Sequence, residues 1–452
     1  MVILAAGDST RMRSDTPKVL HFLAGRPLID YSVRLAETLS NKTPVVVVGR
    51  DADKVQDILG NRARYAHQTE RRGTGHAVLQ ARPLLAGESQ TTLVFYGDMP
   101  LVTEASMRIL LDIHARNAST GGVLSMLTFE STNARDFGRI VRNTAGDVQA
   151  IVEQVDCTPE QALLTELNPG LYCYRADWLW ENLDRIPVSS RGEYYLTDLV
   201  GIAVSQGHRV MALHVEDATE MLGINTRVHL AEAETIVRQR INRRWMEAGV
   251  TLLDPATTYI DDTVTLGRDT ILHPATHLRG ATCVGDRCEI GPNTTILDTT
   301  IGQNCVVRYS VLEQAVVEDD VDVGPFAHLR MGAHLAQGVH MGNFGEVKDS
   351  YLGPGTKMGH FGYLGDATVG RDVNIGAGTI TCNFDGLRKH PTVIADDVFV
   401  GSDTMLVAPV TLGKGARTGA GSVVTHDVPA GELVLGVPAR PRPQSTGHDP
   451  RT

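Results

Sequence analysis

Three stretches carry residue types and spacings that suit chemistry. The first is LAAGDSTRM at 4–12, followed by PKVL at 17–20, a loop of small residues with two cations, Arg11 and Lys18. Without bulky side chains, a nucleoside triphosphate can lie against the backbone N–H groups of such a loop while the cations offset phosphate charge. The spacing is not that of a Walker loop, and an ordinary strand-to-loop turn is the plainer alternative. The second stretch is Tyr96-Gly97-Asp98, closing an apolar run. A lone Asp at a strand end can hold magnesium, which takes oxygen ligands and usually keeps several waters. The third is His360 in MGHFGY, with the segment TCNFDGLRKHPT at 381–392 shortly beyond it.

The elements around these residues are of two kinds. From Leu266 an aliphatic residue recurs every six positions through Leu272, Leu278, Val284, Ile290 and Ile296, slips at Ile301 and Val307, and resumes from Val323, Leu329, Leu335 and Met341 to Val424. Thr418 is the polar occupant of this series, and the fifth slot of each hexad holds small or β-branched residues such as Thr270, Thr276, Thr282, Cys288, Cys305, Thr356 and Ala416. Gly often fills the second slot, where a tight corner needs backbone freedom. One short strand and one turn per hexad, three per coil, predict a triangular parallel β-helix of about nine coils stacked ~4.8 Å apart. His360 falls on an outward-facing slot, and the 381–392 segment breaks the period three hexads later. That places an extruded loop one coil above it, able to cover a groove.

The first 225 residues instead alternate strand-like TPVVVVGR, TTLVFYGD and GGVLSMLTFE with helix-like LIDYSVRLAETL, GHAVLQARPLL and ASMRILLDIHARN. This predicts a Rossmann-like α/β domain with a mainly parallel sheet and ligands at strand C-terminal ends. The expected divisions are 1–225 for this domain, 226–248 for a linking helix, 249–438 for the β-helix and 439–452 for a polar, Pro-rich, disordered tail.

Composition narrows the classes. The 452 residues carry 42 Lys+Arg against 53 Asp+Glu, a net charge of −11, which disfavours a long nucleic-acid footprint. No apolar run approaches a membrane span, and Met1 leads straight into a strand-like segment without a basic region or cleavage site. Six cysteines without metal-ligand spacing suit a reducing, cytoplasmic setting.

The run LAAG…TRM, then PK, then a strand ending in Gly-Asp resembles the nucleoside-diphosphate-sugar pyrophosphorylase family, with Ser9 where a second Gly is usual. Further matches narrow the resemblance to the bifunctional N-acetylglucosamine-1-phosphate uridyltransferase / glucosamine-1-phosphate acetyltransferase family, from Leu4 to about Pro438. It implies an α/β nucleotidyltransferase followed by a left-handed parallel β-helix of hexapeptide repeats, acting in UDP-N-acetylglucosamine synthesis for the bacterial cell envelope. UTP would lie on Leu4, Ala5, Ala6 and Gly7, with uracil near Gln68, Gly73 and Thr74, beside Tyr96 and Gly97. The sugar would be held by Gly138, Glu153 and Asn168, and magnesium by Asp98 and Asn225. Arg11 and Lys18 would stabilise transition-state charge.

For acetyl transfer the resemblance makes His360 the general base toward an amine, a role that suits an imidazole at neutral pH. Arg330, Lys348, Tyr363, Asn374 and Lys389 would hold the sugar phosphate. Ala377, Asn383, Phe384, Ser402 and Ala420 would hold acetyl-CoA, with Phe384 where Tyr is common and Arg440 a further candidate. A homotrimer through the β-helix is likewise implied. Two alternatives remain open at this level: a monofunctional sugar nucleotidyltransferase whose β-helix only oligomerises, and a non-catalytic scaffold. CoA binding separates the first, and UTP-dependent pyrophosphate release the second.

Overall fold

The computed structural model describes residues 1–7 and 10–441. Two compact units divide the chain, Met1–Val237 and the part from Arg238 on.

In the first unit the apolar runs become strands β1 (Val2–Leu4), β2 (Val45–Val48), β3 (Arg64–His67), β4 (Thr91–Tyr96), β5 (Leu124–Glu130), β6 (Gly138–Arg142), β7 (Val148–Val152), β8 (Glu166–Asn168), β9 (Tyr172–Arg175) and β10 (Met211–His214). They form one sheet in the order β3-β2-β1-β4-β9-β5-β8-β6-β7, with β10 beside β5. The sheet is mixed. Its parallel part is β3-β2-β1-β4 and the β5-β10 pair, while β9 inserts antiparallel to both β4 and β5. Strands such as VVVV in β2 are buried throughout, as expected for parallel strands covered on both faces. One apolar layer includes Ile29 and Val33 of helix α1 (Leu28–Leu39) and Met107 and Leu110 of α3 (Glu104–Ser119); the other includes Ala77 and Val78 of α2 (Thr74–Gln80).

This topology carries a functional consequence. Leu4 pairs with Tyr96 across β1 and β4, Gly97 N–H donates to Leu4 C=O at 2.9 Å, and Ala5 N–H donates to Val47 C=O at 2.9 Å. The loops after β1 and β4 therefore leave the sheet side by side at its C-terminal edge. The divide between units falls inside helix α4 (Arg227–Glu247), which buries Ala233, Val237 and Ile241.

The second unit is a stack of short parallel strands arranged in three sheets. From Leu272 the aliphatic slots point inward and are buried, and so are the fifth slots. Two aliphatic-slot residues escape the simple hexad count, Leu312 and Val317, each no more than 1% exposed, while Val347, six after Met341 and equally buried, keeps it. The reason is coil length, which is 18 residues from Leu272 to Ile290, 17 from Val284 to Ile301 and 16 from Ile296 to Leu312. Shorter corners shift the phase without breaking the stack.

The fifth slot has a polar task as well as a steric one. Thr270, Thr282, Thr356 and Thr404 each donate Oγ1 to a corner carbonyl at 2.7–2.8 Å. Such bonds satisfy buried backbone groups that the short strands leave unpaired. Cys288 and Cys305 direct their thiols at Gly302 and Glu318 carbonyls in the same way. Thr418, the polar aliphatic-slot occupant, accepts from Gly401 N–H at 2.8 Å. Of the segment 439–452, residues 442–452 lie outside the described residues. Arg440–Pro441 form a strand antiparallel to Val434–Leu435, so order extends past 438.

Candidate active sites

A cleft of about 700 Å³ opens at the C-terminal edge of β1 and β4. Fourteen expected residues line it: Leu4, Ala5, Ala6, Gly7, Lys18, Gln68, Gly73, Thr74, Tyr96, Asp98, Gly138, Glu153, Asn168 and Asn225. Gly97 lies in the adjoining turn, where an added Cβ would sit 2.6 Å from Ile29 Cδ1. Arg11 does not line the cleft; its guanidinium pairs with Asp136, which does.

The centre of the cleft is Lys18. Its Nζ donates to Asp98 Oδ2 and to Asn225 Oδ1, the latter at 2.8 Å. Sequence spacing alone gave no ground for pairing Asp98 with Asn225. Backbone supplies it, because Ile224 N–H donates to Asp98 C=O at 3.0 Å. Two oxygen donors thus face one cation. That donor set suits a hard divalent ion whose remaining ligands are water and substrate phosphates, so magnesium fits the residues present. Among the described residues, no cluster of three or more His, Cys, Asp or Glu is assembled as a metal centre.

The Gly73-Thr74-Gly75 turn is fastened to 194–196. Tyr194 N–H donates to Arg72 C=O at 2.7 Å, Gly75 N–H to Tyr194 C=O at 2.8 Å, and Leu196 N–H to Thr74 Oγ1 at 3.0 Å. Gly73 has φ 92°, and a Cβ there would lie 2.5 Å from Tyr194 O, so a glycine is required twice over. Gln68 Nε2 donates to Gly73 C=O at 3.1 Å, tying the strand end to this turn.

On the sugar side, desolvation of the partly buried Glu153 pushes its carboxyl above the usual carboxylate range, and Thr197 Oγ1 opposes the shift by donating to Oε1 at 2.8 Å. Asn168 accepts from Gly170 N–H at 3.1 Å and donates to Tyr172 OH at 2.7 Å. Thr197, Tyr195 and Glu193 also line the cleft and were missed from sequence. They lie on a segment outside the strands, where Thr197 has helical backbone (φ −60°, ψ −27°), so no strand alternation marked them.

In the β-helix, His360 and three of the expected acetyl-CoA residues stand in one column of corners. Gly378 N–H donates to Phe361 C=O, Asp403 N–H to Ala377 C=O and Gly421 N–H to Ser402 C=O, at 2.8, 2.6 and 2.8 Å. The strand registers on either side of this corner, offset by 17, 25 and 18 residues, place His360, Ala377, Ser402 and Ala420 at equivalent positions in four successive coils, and His360 is exposed. The strand leaving the His360 corner carries Tyr363, in register with Glu346 below and Ile380 above.

Lys348 and the loop residue Lys389 converge beside it, their Nζ atoms 3.7 and 3.9 Å from the same Asp349 Oδ2. Arg330 lies on the same sheet but pairs with Glu346 at 2.8 Å. Asn374 lies on the adjoining sheet, in register with Lys357 and Phe399. Asn383 is buried at the loop base and Phe384 is 62% exposed. Arg440 sits on the final strand pair, with Nη1 donating to Ala439 C=O.

A cleft at the ends of parallel strands, joined in one chain to an interrupted hexad solenoid, defines a nucleotidyltransferase coupled to a hexapeptide-repeat transferase. Residues 1–128 match the MobA-like NTP transferase domain, 391–426 the bacterial transferase hexapeptide (six repeats) and 282–308 the hexapeptide repeat of succinyl-transferase. The Bifunctional protein GlmU of Heliobacterium modesticaldum is 47% identical over 435 residues, 96% of this chain and 94% of its own. Those of Exiguobacterium sibiricum and Pelobacter propionicus are each 45% identical, again over 96% of this chain and covering 96% and 95% of theirs. The chain belongs to the bifunctional GlmU family. It is a two-activity enzyme of UDP-N-acetylglucosamine synthesis, an acetyltransferase joined to a uridyltransferase with a left-handed β-helix as its second domain.

Proposed function

We propose that in the first-unit cleft a phosphate oxygen of N-acetylglucosamine-1-phosphate bonds to the α-phosphorus of UTP as the bond to pyrophosphate breaks. Leu4 to Gly7, Gln68, Gly73 and Thr74 hold the nucleotide, beside Tyr96 and Gly97, while Gly138, Glu153 and Asn168 orient the sugar. Lys18 stabilises charge spreading over the phosphate oxygens, and Arg11 joins it on exchanging Asp136 for phosphate. Asp98 and Asn225 would hold magnesium, which neutralises triphosphate charge when bound. The convergence of Lys18, Asp98 and Asn225 from distant segments is the observation that carries this reading.

In the β-helix the amine of glucosamine-1-phosphate attacks the thioester carbonyl of acetyl-CoA, His360 takes the amine proton, and the CoA thiol leaves. Lys348, Lys389, Arg330, Tyr363 and Asn374 serve the sugar phosphate. The corner column of Ala377, Ser402 and Ala420, with Asn383 and Phe384 from the loop, serves the acyl carrier, and Arg440 is a further contact. The protein works as a cytoplasmic homotrimer assembled through the β-helix. Among the described residues no helix is long and apolar enough to cross a membrane.

The test is a paired assay on wild type and His360→Ala. With glucosamine-1-phosphate, acetyl-CoA, UTP and magnesium, wild type releases both CoA thiol and pyrophosphate. His360→Ala loses thiol release by about 10²–10⁴-fold, yet still releases pyrophosphate from N-acetylglucosamine-1-phosphate and UTP. A wild type that releases pyrophosphate but no thiol would make the β-helix a spacer.

A further inference from the structure

The phase slip after Tyr363 leaves Asp366 at a corner with φ 51°, a left-handed conformation that Asp tolerates better than most residues. Several ties to the 381–392 segment meet on this residue. Asn383 Nδ2 donates to Asp366 Oδ2 at 2.5 Å, and Lys389 Nζ lies 3.8 Å from the same oxygen. At the far stem Thr392 N–H donates to Asp366 C=O at 3.0 Å, while Asp366 N–H donates to Lys348 C=O at 3.2 Å. The neighbouring Gly365 N–H donates to Thr381 Oγ1 at 2.8 Å.

Inside the loop, order is local. Asp385 Oδ1 accepts from the N–H groups of Leu387 and Arg388, each at 2.7 Å, Asp385 Oδ2 pairs with His390 Nε2, and His390 N–H donates to Asn383 C=O at 2.7 Å. The tip is therefore a preformed unit whose placement over the coil depends on its fastening. Asp366 is also stacked one coil above Asp349, since Lys348 and Gly365 are in register, and Lys389 bridges the two carboxylates.

We propose that Asp366 is a positioning residue for acetyl transfer, holding the loop so that Asn383 and Phe384 face the acyl carrier and Lys389 faces the sugar phosphate before either substrate binds. The inference rests on the acetyltransferase roles given to those loop residues above. Ordering the loop in advance removes a cost that each substrate would otherwise meet on binding. One residue thereby serves both substrates without touching the reacting atoms.

The full-length chain with Asp366→Ala should show KM values for acetyl-CoA and for glucosamine-1-phosphate each raised tenfold or more, with kcat within threefold of wild type. Uridyl transfer should be unchanged, which also reports that the chain is folded. Trypsin should cut after Arg388 or Lys389 several times faster than in wild type. Asp366→Asn keeps an acceptor for Asn383 but loses the charge facing Lys389, so only the KM for the sugar phosphate should rise.

Both KM values within twofold of wild type for Asp366→Ala, a fall in kcat alone, or an unchanged trypsin rate would each overturn the proposal. A wild type without thiol release would remove the acetyl-transfer reading and this role with it. An active wild type beside an unaffected variant removes the role of Asp366 alone.

Discussion

The two sites are assembled by opposite means. In the first unit Lys18, Asp98 and Asn225 meet although they are far apart in the chain, because parallel strands deliver their loops to one edge of the sheet. In the β-helix, His360, Ala377, Ser402 and Ala420 meet because they are the same position in successive coils. The α/β sheet gathers different residue types at one level, which suits a centre where charge must be neutralised from several sides. The solenoid instead offers a long column of small corners on which an extended ligand can lie. What makes that column a site is the departure from the repeat at 381–392, where Lys389 and Asn383 reach back over the coil.

The largest effect that tests this contrast is Lys18→Ala. Removing a preorganised cation from a phosphoryl-transfer centre costs about 10²–10³-fold in kcat, and nothing in the β-helix compensates for it. Uridyl transfer should fall by at least that factor while thiol release from acetyl-CoA stays at the wild-type rate. Steady-state assays of both half-reactions on one preparation read it. Equal loss of both activities in a folded variant would mean that the sites are not independent in the way their construction suggests.

The same contrast decides what could be read from the sequence. The hexad made the β-helix legible almost residue by residue, since each slot has one fate; Leu312 and Val317 were lost only where corners shorten and the count slips. The mixed order of the first-unit sheet was less legible, because periodicity distinguishes strand from helix but not β9 running antiparallel between β4 and β5. Candidate residues near strand ends were visible as chemistry, whereas Thr197 and Asp136 acquire meaning only through partners far along the chain. The Asp98–Asn225 pairing came from family resemblance, and its physical basis, the Ile224 to Asp98 backbone bond, exists only in the fold.

A middle-sized effect is expected from Thr197→Val, which removes the hydroxyl donor to Glu153 while keeping its shape. A hydrogen bond to a charged group contributes about 1.5–3 kcal/mol, so kcat/KM for N-acetylglucosamine-1-phosphate should fall about tenfold or more. The sign of the pH effect follows from the environment. Burial already raises the Glu153 carboxyl and Thr197 lowers it by favouring the charged form, so removing the hydroxyl raises it further. The acid limb of the uridyl-transfer profile should move to higher pH, with the acetyl-transfer profile unmoved. A uniform drop at every pH would instead assign Thr197 to packing.

The smallest effect separates a regular coil from the interrupted one. Thr282 donates Oγ1 to Arg279 C=O at 2.7 Å and is buried in a fifth slot far along the stack from His360. Thr282→Val preserves the shape but removes that hydrogen bond, worth about 0.5–1.5 kcal/mol net, while Arg279 C=O keeps the Asp298 N–H at 3.3 Å. For a domain of this size that is a fall of a few degrees in the Tm of the β-helix transition, with every KM within twofold of wild type. Thr381 holds a comparable buried hydroxyl at the stem of the loop, where it accepts from Gly365 N–H at 2.8 Å. Thr381→Val should lower Tm by a similar amount and also raise both acetyl-transfer KM values. Identical kinetic behaviour of the two variants would show that the stem contributes only stability; a kinetic effect confined to Thr381→Val would show that the same kind of bond supports catalysis only where the repeat is broken.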